Sequence, residues 1–151
     1  MVFYKVDNGR LVGWWAKPRK RKAFQGSTMA SGRDLPHDLA HFVVESALGM
    51  ELGFWGLLAR GATFKSVPGR RRTRAGRHLI SANNQSLGVA EYWVNLHLWA
   101  WRKGQASPLG PALDEMYSRW RALGMGEELR LEWRTERSPH SDRLSASNAS
   151  A

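Results

Sequence analysis

The alternation of apolar and polar positions changes period twice along this chain. Val2, Tyr4 and Val6 alternate with Phe3 and Lys5, Asp7-Asn8-Gly9 supplies turn residues, and Leu11-Val12-Gly13-Trp14-Trp15 resumes an extended run. That pattern predicts an N-terminal β-hairpin, with Trp14 and Trp15 on opposite faces. Residues 17 to 34 are broken by Pro18, Gly26, Ser27, Ser31 and Gly32, which predicts a loop with at most a short strand. Asp34 is placed to cap a helix over 35 to 48, with Pro36 in its first turn and Leu39, Phe42, Val43 and Ala47 at helical spacing. A shorter apolar segment, Leu52 to Ala59, ends before Gly61. From about 84 to 103, Leu87, Val94, Leu98 and Trp101 fall on one stripe and predict the longest helix. Ser107 to Pro111 breaks it, and Leu113, Met116, Tyr117 and Trp120 begin another helix that stops near Gly124. Leu129, Leu131 and Trp133 then alternate with Arg130, Glu132 and Arg134, as in a half-buried antiparallel strand near 129 to 135.

Together these elements predict an α+β domain, with three or four helices packed on a small antiparallel sheet made from the N-terminal hairpin and the C-terminal strand. At 151 residues and 17.1 kDa, with 42% hydrophobic residues, the chain matches one domain and one core. We expect that domain to span 1–137, with 138–151, rich in Ser and Ala and lacking an apolar period, as a flexible polar tail. Of the eight tryptophans, most recur on stripes expected to face the core. Cysteine is absent, so any metal would have to sit on nitrogen and oxygen ligands. Charges come too early for a signal peptide and no apolar run is long enough for a membrane helix, which points to a soluble, cytoplasmic chain with no membrane partner.

The net charge of +10 is concentrated in two tracts, Lys17, Arg19, Lys20, Arg21, Lys22 and Arg70, Arg71, Arg72, Arg74, Arg77. Outside them, acidic and basic residues balance. Such patches can hold nucleic acid or another polyanion nonspecifically, or can simply be solvated loops. No zinc-finger, basic-zipper or RNA-recognition pattern accompanies them, so base-specific reading has no visible apparatus.

The segment richest in chemistry is Leu35-Pro36-His37-Asp38-Leu39-Ala40-His41-Phe42-Val43-Val44-Glu45. On a helix, His37, His41 and Glu45 form one stripe, and two imidazoles four residues apart can share a divalent ion, for example zinc. Three ligands from one straight helix would strain a compact site, so a third ligand from another element is easier. Glu91 qualifies because it shares the apolar stripe of Leu87, Val94 and Leu98 on the long helix, where a carboxylate needs a cation, a metal, hydrogen bonds or a raised pKa. His97, His78 and His140 are weaker candidates. A structural role competes with the metal reading: half-exposed histidines, Asp38 favouring the helix N-terminus and Glu45 paired with a base.

His37 to His41 resembles the His-Glu-x-x-His element of zincin metallohydrolases, with Asp38 where that family has glutamate. The resemblance implies His37 and His41 as metal ligands and Asp38 as the acid that orients the attacking water. The longer segment is also similar to a group of small uncharacterised bacterial proteins carrying Leu-Pro-His-Asp-Leu-x-His-Phe-x-Val-Glu. Nucleophile-elbow, Walker and dinucleotide-binding patterns are missing, and the pairs Asp114-Glu115 and Glu127-Glu128 diverge as sequence neighbours. Three readings follow: a metal-binding, hydrolytic protein; a polyanion-binding module; and a subunit whose aromatic surface docks a protein partner.

Overall fold

A computed structural model describes residues 1–6, 11–17, 23–25, 29–30, 35–67 and 69–134. Strand β1 (Val2–Val6) lies between β2 (Leu11–Ala16) and β5 (Glu128–Arg130), antiparallel to both. Two short strands, β3 (Phe24–Gln25) and β4 (Met29–Ala30), also pair with β2. The register sets Phe3 opposite Trp14 on one side and Leu129 on the other, a row that forms the sheet's contribution to the core. Pairing continues one residue past β5, where the Leu131 N–H donates to the Met1 carbonyl at 2.9 Å. The two ends of the described chain therefore meet, as the change of period at Leu129 predicts. Trp14 is buried and Trp15 half-buried, as expected for neighbours on opposite faces of a strand.

Helices α1 (His37–Ala47), α2 (Phe54–Arg60), α3 (Arg74–Ala82), α4 (Asn84–Arg102) and α5 (Gly110–Ala122) complete the α+β arrangement. The central one is α1: it packs on α2, α4 and α5, and Leu39 to Glu45 are buried without interruption. Around it Phe42 meets Trp55 and Trp133 edge-on, at 6.3 and 5.7 Å between ring centroids. A helix enclosed on this many sides has to bury His41 and Glu45 with its apolar residues.

Where the sequence predicts at most one short strand over 17–34, both β3 and β4 form, and two further expectations change. The arginine-rich stretch is only partly a loop, because Thr73 accepts a hydrogen bond from the Gly76 N–H at 2.9 Å and so starts α3, placing Arg74 and Arg77 on a helix. The second concerns the tryptophans: Trp14, Trp55 and Trp120 are core residues, but Trp93 and Trp99 lie exposed on α4. Asp34, the turn at 7–9, Arg19 to Lys22, His140 and the polar tail 138–151 lie outside the described residues. No helix among the described residues is long and apolar enough to cross a membrane.

Candidate metal centre

His37 and His41 stand one turn apart on α1, with ring centroids 4.7 Å apart and planes at 73°. The adjacent helix α4 presents Glu91 to both. His41 Nε2 lies 2.9 Å from Glu91 Oε2, and His37 Nε2 lies 3.6 Å from Glu91 Oε1. One ligand atom from each residue falls within 4.8 Å of the others. An ion with bonds of about 2.0–2.2 Å holds its ligand atoms about 3–3.5 Å apart, so the trio would have to close by roughly 1–2 Å to hold one. The room to do so exists, since the Glu91 side chain is 51% exposed and that of His37 32%. Asn95, one turn beyond Glu91, steadies it by donating to Oε1 at 2.8 Å.

Glu45 lies on the opposite side of the His41 ring. It is completely buried, and its Oε1 is 2.8 Å from His41 Nδ1. The same carboxylate accepts the Phe54 N–H on Oε1 and the Trp55 N–H on Oε2, both at 3.0 Å, and so caps the start of α2. Gly53 makes this approach possible, because a Cβ there would collide with the Glu45 carboxyl group. The expected stripe of His37, His41 and Glu45 is real, but the structure divides it: Glu91, not Glu45, joins the two histidines. With a carboxylate on each ring nitrogen, His41 as an imidazolium donates Nδ1–H to Glu45 and Nε2–H to Glu91, and Nε2 would face Glu91 and His37 with a free lone pair only once that proton is lost.

Asp38 is held elsewhere. Its Oδ2 accepts the Trp14 indole N–H at 2.8 Å, and its backbone carbonyl accepts the Trp55 indole N–H at 3.1 Å. This carboxylate ties the first turn of α1 to the sheet and to α2, and stands outside the converging trio. The other histidines are separate too: His97 Nδ1 meets the Ser107 hydroxyl at 2.8 Å, and His78 is exposed on α3. Of the basic tracts, Lys17, Arg71, Arg72, Arg74 and Arg77 are exposed, whereas Arg70 turns inward and donates to the carbonyls of Leu58 and Ala62.

Sequence periodicity brings out His37, His41 and Glu91 but misses Asn95 and the shared use of Glu45. The available signals were the four-residue step from Glu91 to Asn95 and the glycine just before a helix start, both too common to stand out.

Burial by itself disfavours a charged His41, but the hydrogen bond and charge of Glu45, with Glu91 and Asp38 nearby, outweigh it and hold the pKa above the ordinary 6.5. Partial burial pushes Glu91 upward, yet the Asn95 bond and the two imidazoles bring it below 4.5. The signs fix a window. A raised histidine contributes stability that is complete below 6.5 and disappears as pH rises through the folded value, and a lowered glutamate contributes stability present above 4.5 and lost on acidification. Chelator-treated protein is therefore expected to gain most from this pair between those limits and to lose that contribution above 6.5. Urea denaturation of wild type and His41→Gln across pH checks it; a difference between them that does not shrink on the alkaline side would show that the imidazolium is not what the carboxylates hold.

Comparison of the chain with protein-family models, curated proteins and solved structures finds no match.

Proposed function

We propose that this protein binds a divalent cation, zinc in the first instance, through His37, His41 and Glu91. The observation that carries the reading is the position of His41: one ring nitrogen is fixed by a buried carboxylate, and the other is turned to a partly exposed carboxylate and a second imidazole. Two imidazoles and one carboxylate form a ligand set that suits zinc and leaves a fourth position for water or substrate. Metal-assisted hydrolysis is the reaction class such an open position permits. In this reading Glu45 is the group that orients His41.

Untagged protein is expected to take up about one equivalent of Zn²⁺ or Co²⁺, with the cobalt form showing ligand-field absorption. His41→Ala and Glu91→Ala should each weaken binding by about a hundredfold or more. Titration calorimetry and metal analysis after dialysis measure this. Wild-type protein that retains no metal, or binding untouched by both substitutions, would reduce the trio to a structural ion pair.

A second reading rests on the exposure of Arg71, Arg72, Arg74 and Arg77 around the start of α3, which together can meet phosphates. Its mark would be binding to DNA or RNA that weakens steeply with salt and is lost on neutralising these arginines while the histidine variants bind normally.

A further inference from the structure

Helix α4 has two apolar faces. Ala90, Val94 and Leu98 are buried against the body of the protein, and on the opposite side Val89, Tyr92, Leu96 and Trp99 are exposed. These four residues follow one another at steps of three, four and three, the spacing of a seam where two helices pack side by side. From Asn84 to Trp101 the only Asp, Glu, Lys or Arg is Glu91, engaged with His41, although 24% of the whole chain is charged. Depletion of charge with enrichment of Tyr and Trp is the composition of an interface centre, not of a solvated helix face.

We propose that this face of α4 pairs with the same face of a second copy of the chain, the two helices antiparallel about a two-fold axis at the level of Val94. The order of side chains carries the choice of occupant. Val89 and Trp99 are equally distant from residue 94, as are Tyr92 and Leu96. Antiparallel pairing therefore sets Val89 against the second copy of Trp99 and Tyr92 against the second copy of Leu96, so every layer joins an aliphatic residue to a ring. A parallel pair would instead stack Trp99 on Trp99 and Val89 on Val89. Next outward, Gln85 and Lys103 also come opposite each other, so the seam ends in polar residues.

The area fits a reversible dimer. Val89 is 48% exposed, Tyr92 61%, Trp93 37%, Leu96 39% and Trp99 52%. These fractions amount to about 500 Å² per copy, so a pair covering all five side chains would bury at most roughly 1,000 Å², the size of a weak, reversible interface. With no charge in the seam between Val89 and Trp99, two copies at +10 can approach there without desolvating an ion. The proposal uses none of the metal-site residues and stands apart from that reading.

Sedimentation equilibrium of the full chain is expected to show a monomer–dimer equilibrium, and Leu96→Glu to weaken it at least about tenfold with an unchanged circular dichroism spectrum. The chain has no cysteine of its own, so introduced thiols report the register directly. Mixing Tyr92→Cys with Leu96→Cys under oxidation should give the mixed disulfide dimer, and either variant alone far less. Wild-type protein that remains monomeric at about 0.5 mM overturns the proposal, whatever lipid vesicle or other protein the face then binds. So does a dimer indifferent to Leu96→Glu, or one in which each cysteine variant cross-links to itself as readily as to the other.

Discussion

Glu45→Ala is expected to lower stability by about 3–5 kcal/mol, a large share of the roughly 5–15 kcal/mol that holds a domain folded. The carboxylate is fully buried and serves three donors at once: the Phe54 and Trp55 N–H groups and His41 Nδ1. Alanine leaves all three without their acceptor in a space too enclosed for easy hydration, so the loss is the desolvation cost of stranded groups as well as the bonds themselves. In thermal unfolding this corresponds to a drop of about 10 °C or more. Glu45→Gln should fall between. Its amide oxygen can still accept, but its NH₂ must face either a backbone N–H or His41. Because Glu45 also sets the direction of the His41 ring, Glu45→Gln is expected to weaken Zn²⁺ binding by about 10–100-fold while the chain remains folded. Unchanged urea midpoints for both variants would mean that the carboxylate is not the acceptor on which α2 and His41 depend.

The other large effect is expected at Trp14. It is buried, packs edge-on against Trp55 at 4.8 Å and Phe54 at 6.3 Å, and donates to Asp38. Trp14→Ala removes the ring and strands the Asp38 carboxylate, for a combined cost of at least about 4–5 kcal/mol. Trp14→Phe keeps most of the packing and isolates the hydrogen bond, at about 1–3 kcal/mol. Burial raises the Asp38 pKa above 3.8 against the lowering influence of Trp14. A raised carboxyl contributes stability that is complete below 3.8 and lost as pH rises through its folded value, so ionised Asp38 is a net burden at neutral pH. Asp38→Asn, which can accept the same indole N–H without burying an ion, is therefore expected to stay within about 1 kcal/mol of wild type. That near-neutral variant separates two roles. If Asp38 polarises a metal-bound water, Asp38→Asn abolishes metal-dependent hydrolysis; if it only fastens α1 to β2, turnover is unaffected. Denaturant midpoints and assays with generic ester and phosphoester substrates distinguish these outcomes.

Much of the fold could be read from periodicity, because burial on one side imposes it. The hairpin, the helix beginning near His37, the long helix from Asn84 and the strand at Leu129 each bury one face and leave a repeating mark. Helix α3 left a weaker one. Its arginines look like a solvated loop, and only Gly76 among its nine residues is buried, so its start depends on the Thr73 cap. The α4 tryptophans failed for another reason. Apolar residues around a whole helix do not tell which side meets the body and which stays outside. That choice belongs to the neighbours, here α1 and α5, which cover Val94 and leave Trp99 uncovered.

At the site, the spacing of residues in the chain determined that His37, His41 and Glu45 share one side of a helix, since that follows from local geometry. It also marked Glu91 as a carboxylate needing a partner, on the expectation that the stripe it shares with Val94 and Leu98 is buried; the structure gives it that partner but leaves its side chain 51% exposed. Only the tertiary structure decided which partner each carboxylate took. Glu91 reaches the histidines because α4 crosses α1 there, and Glu45 is withdrawn from them into the start of α2 because Gly53 lets the backbone close on it. Hydrogen bonds between residues far apart in the chain depend on how whole elements pack, and a single sequence carries no local periodicity that records it.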